Sequence, residues 1–399
     1  MTDTKTAAKG PLDGLRVLDL SRILAAPFAT QFLGDLGADI IKVERPGRGD
    51  DTRGWGPPYV IGEDGTPTGE SAYYLAANRN KRSIAIDMAD PQGAETIRRL
   101  AARCDVVIEN FKVGGLRKYG LDYDSIRAVN PSIIYLSITG FGQTGPNAHR
   151  PGYDLLAQGA GGIMSLTGEP EGEPMKVGVG ISDIMCGMYG VSAMMAAILH
   201  RERTGEGQHI DVALLDTQVS WLANEGVNYL LSGEAPRRRG NQHPNIVPYQ
   251  VFECRDGHAL VAVGNDSQFA RFVEMIGLPQ LADDPRFGKN SDRLANREVL
   301  IPLIAARLRE MPKADLVAGM ERVAVPGGEI NTVPEVFASD QVAARDMKIR
   351  MEYAGSQAGH VDLIGNPVKF SRTPVTYRYP PPRCGEHTEE ILKEILGEE

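Results

Sequence analysis

The first structured stretch reads GLRVLDL (14–20), SRILA (21–25), APFATQFLGDLGA (26–38) and DIIKVERP (39–46). A short β-branched run, a loop, a helical segment and a second apolar run ending in Glu44-Arg45 make a βαβ unit by period and length. Working outward, further strands are predicted at SIAID (83–87), CDVVIEN (104–110) and PSIIYLSITGF (131–141), with helical segments near 91–103 and 121–129 between them. Strands alternating with helices imply an α/β protein with a Rossmann-like parallel sheet covered on both faces. Ligands of such sheets bind beyond the carboxyl ends of the strands, so chemistry is expected in the loops that follow them.

Beyond this sheet a Gly-rich passage (151–182) leads into an apolar helix over about 183–202, which stops at the Thr204-Gly205-Glu206-Gly207 turn. Its core, Ile184 to Leu199, falls short of the ~20 residues a membrane span needs and is read as a buried helix. HIDVALL (209–215) and a second helix through Trp221 follow. SGEAPRRRGNQHPNIVP (232–248), with three arginines in a row and three prolines, reads as an exposed connection. After it come strands at QVFEC and HALVAV, helices at 266–277, 292–310 and 313–323, short strands at IRMEY (349–353) and NPVKF (366–370), and a helix at EHTEEILKEIL (386–396). The domain reading is a large α/β domain from 1–202 and 346–399, a small α+β domain over 249–324, and linkers at 203–248 and 325–345. The polar start, MTDTKTAAKGPLDG, has no apolar core of a secretory signal, and its first ten residues are expected to form a loose tail.

Composition narrows the function. Among 399 residues 42% are hydrophobic and 24% charged, which disfavours both disorder and a membrane bundle, and the net charge of −9 disfavours nucleic acid or anionic lipid as a partner. A small-molecule partner is expected. The cysteines at 104, 186, 254 and 384 form no CxxC pair, which points to a reducing, cytoplasmic setting without zinc or disulfides. The seven histidines show no metal-ligand spacing, so no metal is expected. The loop SRILAAP after the first strand lacks glycine, and neither Gly159-x-Gly161 nor Gly178-x-Gly180 completes a dinucleotide fingerprint. P-loop, GxSxG, HExxH and EF-hand patterns are absent as well.

Asp183 stands where the Gly-rich segment meets the apolar helix. As an N-cap its carboxylate would accept backbone N–H groups at the positive end of the helix dipole and stay ionised. A cap is a sufficient reason for an aspartate there. An ionised carboxylate on a Gly-rich turn is also a competent nucleophile toward an activated acyl group.

Seven stretches then carry a resemblance: PLDGLRVLDLSRILAAPFATQFLGDLGADIIKVERPGRGDDTRGW (11–55), NRNKRSIAIDM (78–88), DVVIENFKVGGLRKYGL (105–121), GYDLLAQGAGGIMSLTG (152–168), DIMCGMYGVSAMMAAILHRERTGEGQHIDVALLDTQ (183–218), NPVKFSRTP (366–374) and GEHTEEIL (385–392). In this order, from Pro11 to Glu399, they resemble the family III CoA-transferases, the formyl-CoA and carnitine CoA-transferase family. The resemblance implies transfer of coenzyme A from an acyl-CoA, such as succinyl-CoA, to a carboxylic acid. It implies aspartyl anhydride and aspartyl-CoA thioester intermediates on Asp183, with coenzyme A as substrate and no further cofactor.

It places CoA contacts on Arg22, Leu24 and Ala25, on Arg45, on Ile86, Asp87, Met88 and Ala89, and on Asn110, Phe111 and Lys112. Further contacts fall on Lys118 and on Thr139, Gly140, Phe141 and Gly142, and an active-site loop has its tip at Gly240 and Asn241. It also implies an interlocked homodimer. The same fold hosts α-methylacyl-CoA racemases, whose base is a histidine just before the helix; here that position is Tyr153, a far weaker base near neutral pH. A transferase is therefore preferred over a racemase, and over a CoA-binding protein without catalysis.

Overall fold

In the computed structural model residues 10–397 are described, so the expected N-terminal tail lies, but for Gly10, outside the described residues. The chain forms two compact units. One takes the chain up to Ile163, then Lys176–Leu222, and then Asp340 onward; the other takes Met164–Met175 and Ala223–Ser339.

The first unit is built on six parallel strands: β1 (Arg16–Asp19), β2 (Asp39–Glu44), β3 (Lys81–Ala85), β4 (Val106–Glu109), β5 (Ile134–Thr139) and β6 (Gln208–Ala213). Their order across the sheet is β3-β2-β1-β4-β5-β6. Both neighbours of β1 run parallel to it, Val17 pairing with Ile40 on β2 and with Val106 on β4. The chain leaves β1 toward one edge and returns at β4 toward the other. The loops after these two strands therefore diverge and open a crevice at the strands' carboxyl ends.

Alternation along the strands explains why both faces are covered. Val17, Ile40, Val106 and Ile134 point to one layer with Ala29 and Leu33 of α1 (Ala25–Asp35). Leu18, Ile41, Val107 and Tyr135 point to the other, with Ile97 and Leu100 of α2 (Pro91–Ala101) and Ile126 of α3 (Tyr123–Val129). Two helices follow β5: α4 (Asp154–Ala160) and α5 (Ile181–Thr204). At 24 residues α5 is longer than its apolar core suggests, and by length and composition it could cross a membrane. Here its small residues let it press on α1 and on the sheet: a Cβ on Gly187 would lie 2.4 Å from the Ala25 carbonyl oxygen of α1, and one on Gly190 3.0 Å from Leu136 of β5.

The segments expected as linkers carry regular structure. Within 203–248 lies β6, followed by helices α6 (Leu214–Ser220) and Ala223–Ser232; within 325–345 lie the strand Gly327–Glu329 and two short helices. The Arg- and Pro-rich run at 232–248 has the composition of a connection, but HIDVA (209–213), earlier in the same span, is a sheet strand whose pairing with β5 is non-local: Tyr135 meets His209 and Thr139 meets Ala213. NPVKF forms no strand. Asn366 turns the chain there, accepting the Val368 N–H at 2.9 Å and donating to Asp35 Oδ2 at 2.9 Å, a side-chain turn that competes with a ladder. The C-terminal hairpin is Lys348–Glu352 with His360–Ile364 instead.

The second unit has a three-stranded antiparallel sheet, Tyr249–Cys254, Gly257–Ala262 and Gly327–Glu329. Its own core gathers Phe252, Val261, Phe269, Phe272, Leu300 and Leu316.

Candidate active site

The divergence at β1 and β4 leaves a cleft of about 510 Å³ at the carboxyl ends of the strands. The loop after β1 enters it through a backbone conformation that costs energy: Ile23, a β-branched residue, sits at φ +74°. Buried charges hold it there. Lys42 Nζ, fully buried on β2, donates to the Ser21 carbonyl at 3.0 Å and to Asp50 Oδ2 at 2.9 Å. Asp50 Oδ1 in turn accepts the Ile23 N–H at 3.3 Å. The Lys42 ammonium holds the Asp50 carboxyl down at about 2 against the opposing effect of burial.

Across the crevice Asn110 ties the loops after β1 and β4 together. Its Oδ1 accepts the Arg22 N–H at 2.9 Å and its Nδ2 donates to the Arg22 carbonyl at 2.6 Å. The Arg22 guanidinium lies 5.2 Å over Phe111.

The cleft brings together residues scattered over the first 183 positions. Arg22, Leu24, Ala25, Arg45, Ile86, Asp87, Met88, Ala89, Asn110, Phe111, Lys112, Lys118, Thr139 and Gly140 all line it, and so does Asp183. Phe141 and Gly142 do not. Gly140 abuts Gly152 so closely that a Cβ on it would stand 2.4 Å from the Gly152 Cα, and the chain turns away beyond it. The adjoining wall is formed by Pro151, Gly152 and Tyr153. Sequence reading does not reach that wall, although Gly152 and Tyr153 open the matching stretch GYDLLAQ. Gly240 and Asn241 belong to the second unit, where the Gly240 N–H donates to the Gly168 carbonyl at 3.1 Å and Gly240 takes φ +56°.

Asp183 lies in the first turn of α5 and is not its N-cap, which is Gly180. The capping carboxylate comes from α4. Asp154 Oδ1 accepts the N–H of Ser182 at 2.8 Å and that of Asp183 at 3.3 Å. Gln158 fixes Asp154 in turn, donating from Nε2 to its Oδ2 at 2.6 Å while its own Oε1 accepts the Val177 N–H at 2.8 Å. With capping done by Asp154, the Asp183 carboxylate has no hydrogen bond or ion pair among the described residues. It is 8% exposed, at the cleft wall.

Its ionisation also differs from the expectation. Burial, and then the negative charge of Asp154, push its carboxyl up to about 7. The other buried carboxylates of the cleft are engaged: Asp50 by Lys42 at 2.9 Å, and Glu44 by Arg53. Asp183 is thus a desolvated carboxylate with its oxygens uncommitted, the state in which a carboxylate is most nucleophilic.

A parallel sheet of this order, a crevice at its switch point rimmed by Arg45, Lys112 and Lys118, and a free carboxylate in the crevice wall are the features that acyl transfer from a polyanionic carrier would require. The chain belongs to CoA-transferase family III, whose sequence model matches residues 12–388. It is 50% identical over 395 residues to the succinate–glutarate CoA-transferase of Agrobacterium fabrum (strain C58), covering 99% of this chain and 98% of that one. It is 44% identical over 386 residues to the succinyl-CoA:glutarate CoA-transferase of Mus musculus, covering 97% and 86%. A solved structure, a CaiB/BaiF family protein from Brucella suis, superposes with a TM-score of 0.84 at 50% identity, over 97% of this chain and 100% of that one.

Proposed function

We propose that the protein moves coenzyme A from succinyl-CoA to a dicarboxylic acid of glutarate type, with Asp183 as the nucleophile. The observation that carries this reading is the uncommitted, buried Asp183 carboxylate on the wall of the cleft. The names of the two relatives above support the choice of donor and acceptor.

In the first half-reaction an Asp183 oxygen attacks the thioester carbonyl and the C–S bond breaks, leaving a mixed anhydride and the CoA thiolate. The thiolate attacks the aspartyl carbonyl of that anhydride, succinate departs, and Asp183 carries CoA as a thioester. The acceptor carboxylate then attacks this thioester, regenerating an anhydride and thiolate. Return of the thiolate to the new acyl carbonyl releases the product acyl-CoA and restores Asp183. The thioester bond energy is conserved throughout, provided water is kept from the intermediates.

Arg45, Lys112 and Lys118 supply positive charge for the CoA phosphates, and the loop tied by Asn110 holds the carrier beside Asp183. Residues around Gly240 and Asn241 are proposed to shield the intermediates. An interlocked homodimer is part of the same reading, supported by large apolar side chains left open on single elements, such as Leu155 and Leu156 of α4 and Leu230 and Leu231 of the helix Ala223–Ser232.

The test is chemical trapping. Incubation with succinyl-CoA followed by borohydride should reduce the aspartyl thioester and convert Asp183 to homoserine, read by peptide mass spectrometry. Continued CoA transfer with Asp183 never modified, or by Asp183→Ala, sinks the mechanism.

A further inference from the structure

We propose that Arg150 reads the distal carboxylate of the acyl group, which makes dicarboxylic acids the substrate class of this cleft; the assignment rests on the CoA-transfer reading above. Arg22 and Arg48 are paired with Asp51 at 2.9 and 3.1 Å, and Lys42 with Asp50 at 2.9 Å. Arg45, Lys112, Lys118 and Arg150 also line the cleft, and none of them has a carboxylate partner among the described residues.

The first three lie beyond the ends of β2 and β4, in the loops assigned to the CoA phosphates. Arg150 is different in position. It stands on the wall that runs through Pro151, Gly152 and Tyr153 straight into Asp154, the residue that caps the helix carrying Asp183. That wall is fixed by the close approach of Gly152 to Gly140.

The Arg150 guanidinium is itself supported, lying 5.0 Å from the Phe141 ring centroid, and its side chain donates no hydrogen bond among the described residues. An aromatic face beneath a guanidinium leaves the N–H edge available, and that planar fork matches a carboxylate in two-point contact. Phe141 therefore acts as the base under Arg150 and not as a wall of the cleft. Both acyl groups of the exchange are joined in turn to the same Asp183 carboxylate, so a single reader of the far carboxylate serves the succinyl and the acceptor halves alike.

The experiment compares glutarate with pentanoate, an acid of equal length that lacks the second carboxylate, in the full-length enzyme. In a two-stage exchange kcat/KM for the acceptor reports the acceptor's own half-reaction. The glutarate-to-pentanoate ratio of kcat/KM should fall roughly 10- to 100-fold in Arg150→Gln, the worth of a charge-assisted hydrogen bond, with partial recovery in Arg150→Lys. An unchanged ratio overturns the assignment. So does an equal loss for both acids accompanied by weaker binding of CoA alone in calorimetry, which would make Arg150 a phosphate ligand. A wild-type enzyme that transfers CoA to no dicarboxylic acid overturns the functional reading and this assignment together, whereas an active wild-type enzyme with an indifferent variant overturns the assignment alone.

Discussion

Asp154 accepts the backbone N–H of Asp183 at 3.3 Å, and its negative charge helps push the Asp183 carboxyl up to about 7. One carboxylate thus positions the other and makes it harder to ionise. The helix-capping role expected of Asp183 is transferred to a neighbour on α4, and the Asp183 carboxylate is left uncommitted.

A pH dependence follows for the first half-reaction. With Asp183 as the proposed nucleophile, acting in its ionised form, kcat/KM for succinyl-CoA should rise about tenfold per pH unit below 7 and level off above it. In Asp154→Asn the amide oxygen still caps α5 but the charge is gone, so the rising limb should move to lower pH. Burial, the larger cause, remains, and the limb should stay above the ordinary carboxylate range. Stopped-flow formation of the aspartyl-CoA thioester across pH 5–9 checks this; an unmoved limb would show that Asp154 exerts no charge on the nucleophile.

Stability should move in the opposite sense to activity. Because the native carboxyl sits at about 7 and its ordinary value is 3.8, the folded chain binds more protons than the unfolded chain between these limits. Native stability therefore declines as pH rises from 3.8 through 7. Asp183→Asn carries no charge and escapes this cost. It should melt about 2–5 °C above the wild type at pH 8, with the difference shrinking as pH falls through 7 and vanishing below about 4. Calorimetric scans at several pH values decide, and a variant less stable than wild type at pH 8 would contradict the picture of an unpaired buried charge.

The approach of α5 to α1 offers a third test. A Cβ at Gly187 would lie 2.4 Å from the Ala25 carbonyl oxygen, and one at Gly180 would lie 3.1 Å from Leu24. Since backbone lies opposite, Gly187→Ala must push the helices apart, at a cost of about 1–3 kcal/mol. It should also lower kcat, because Asp183 rides on the same helix one turn earlier. Thermal melting followed by circular dichroism, together with turnover on succinyl-CoA, measures both effects; an unchanged melting point would mean that the contact has slack.

Particular residues show how far the sequence can be read. The pattern of β1, α1 and β2 is legible because buried parallel strands are short, β-branched and separated by a helix of the right period, all of which are local properties. The loops after the strands are legible for the same reason, and most of the residues the resemblance names line the cleft. β6 is not legible as part of the sheet because its partner, β5, lies some 70 residues earlier in the chain, and strand pairing at that separation leaves no local mark. The place of Pro151, Gly152 and Tyr153 on the cleft wall depends on one backbone crossing, Gly140 against Gly152, which only the packed chain specifies.

By itself the sequence determined an acidic chain with an α/β sheet, a ligand site at the strands' carboxyl ends, and Asp183 at the head of an apolar helix. Tertiary structure decided the state of that aspartate. Capping by Asp154, removal from water, and the absence of a cation partner among the described residues are relations between groups distant in sequence. A carboxylate's charge and freedom to react depend on those surroundings rather than on its place in the chain.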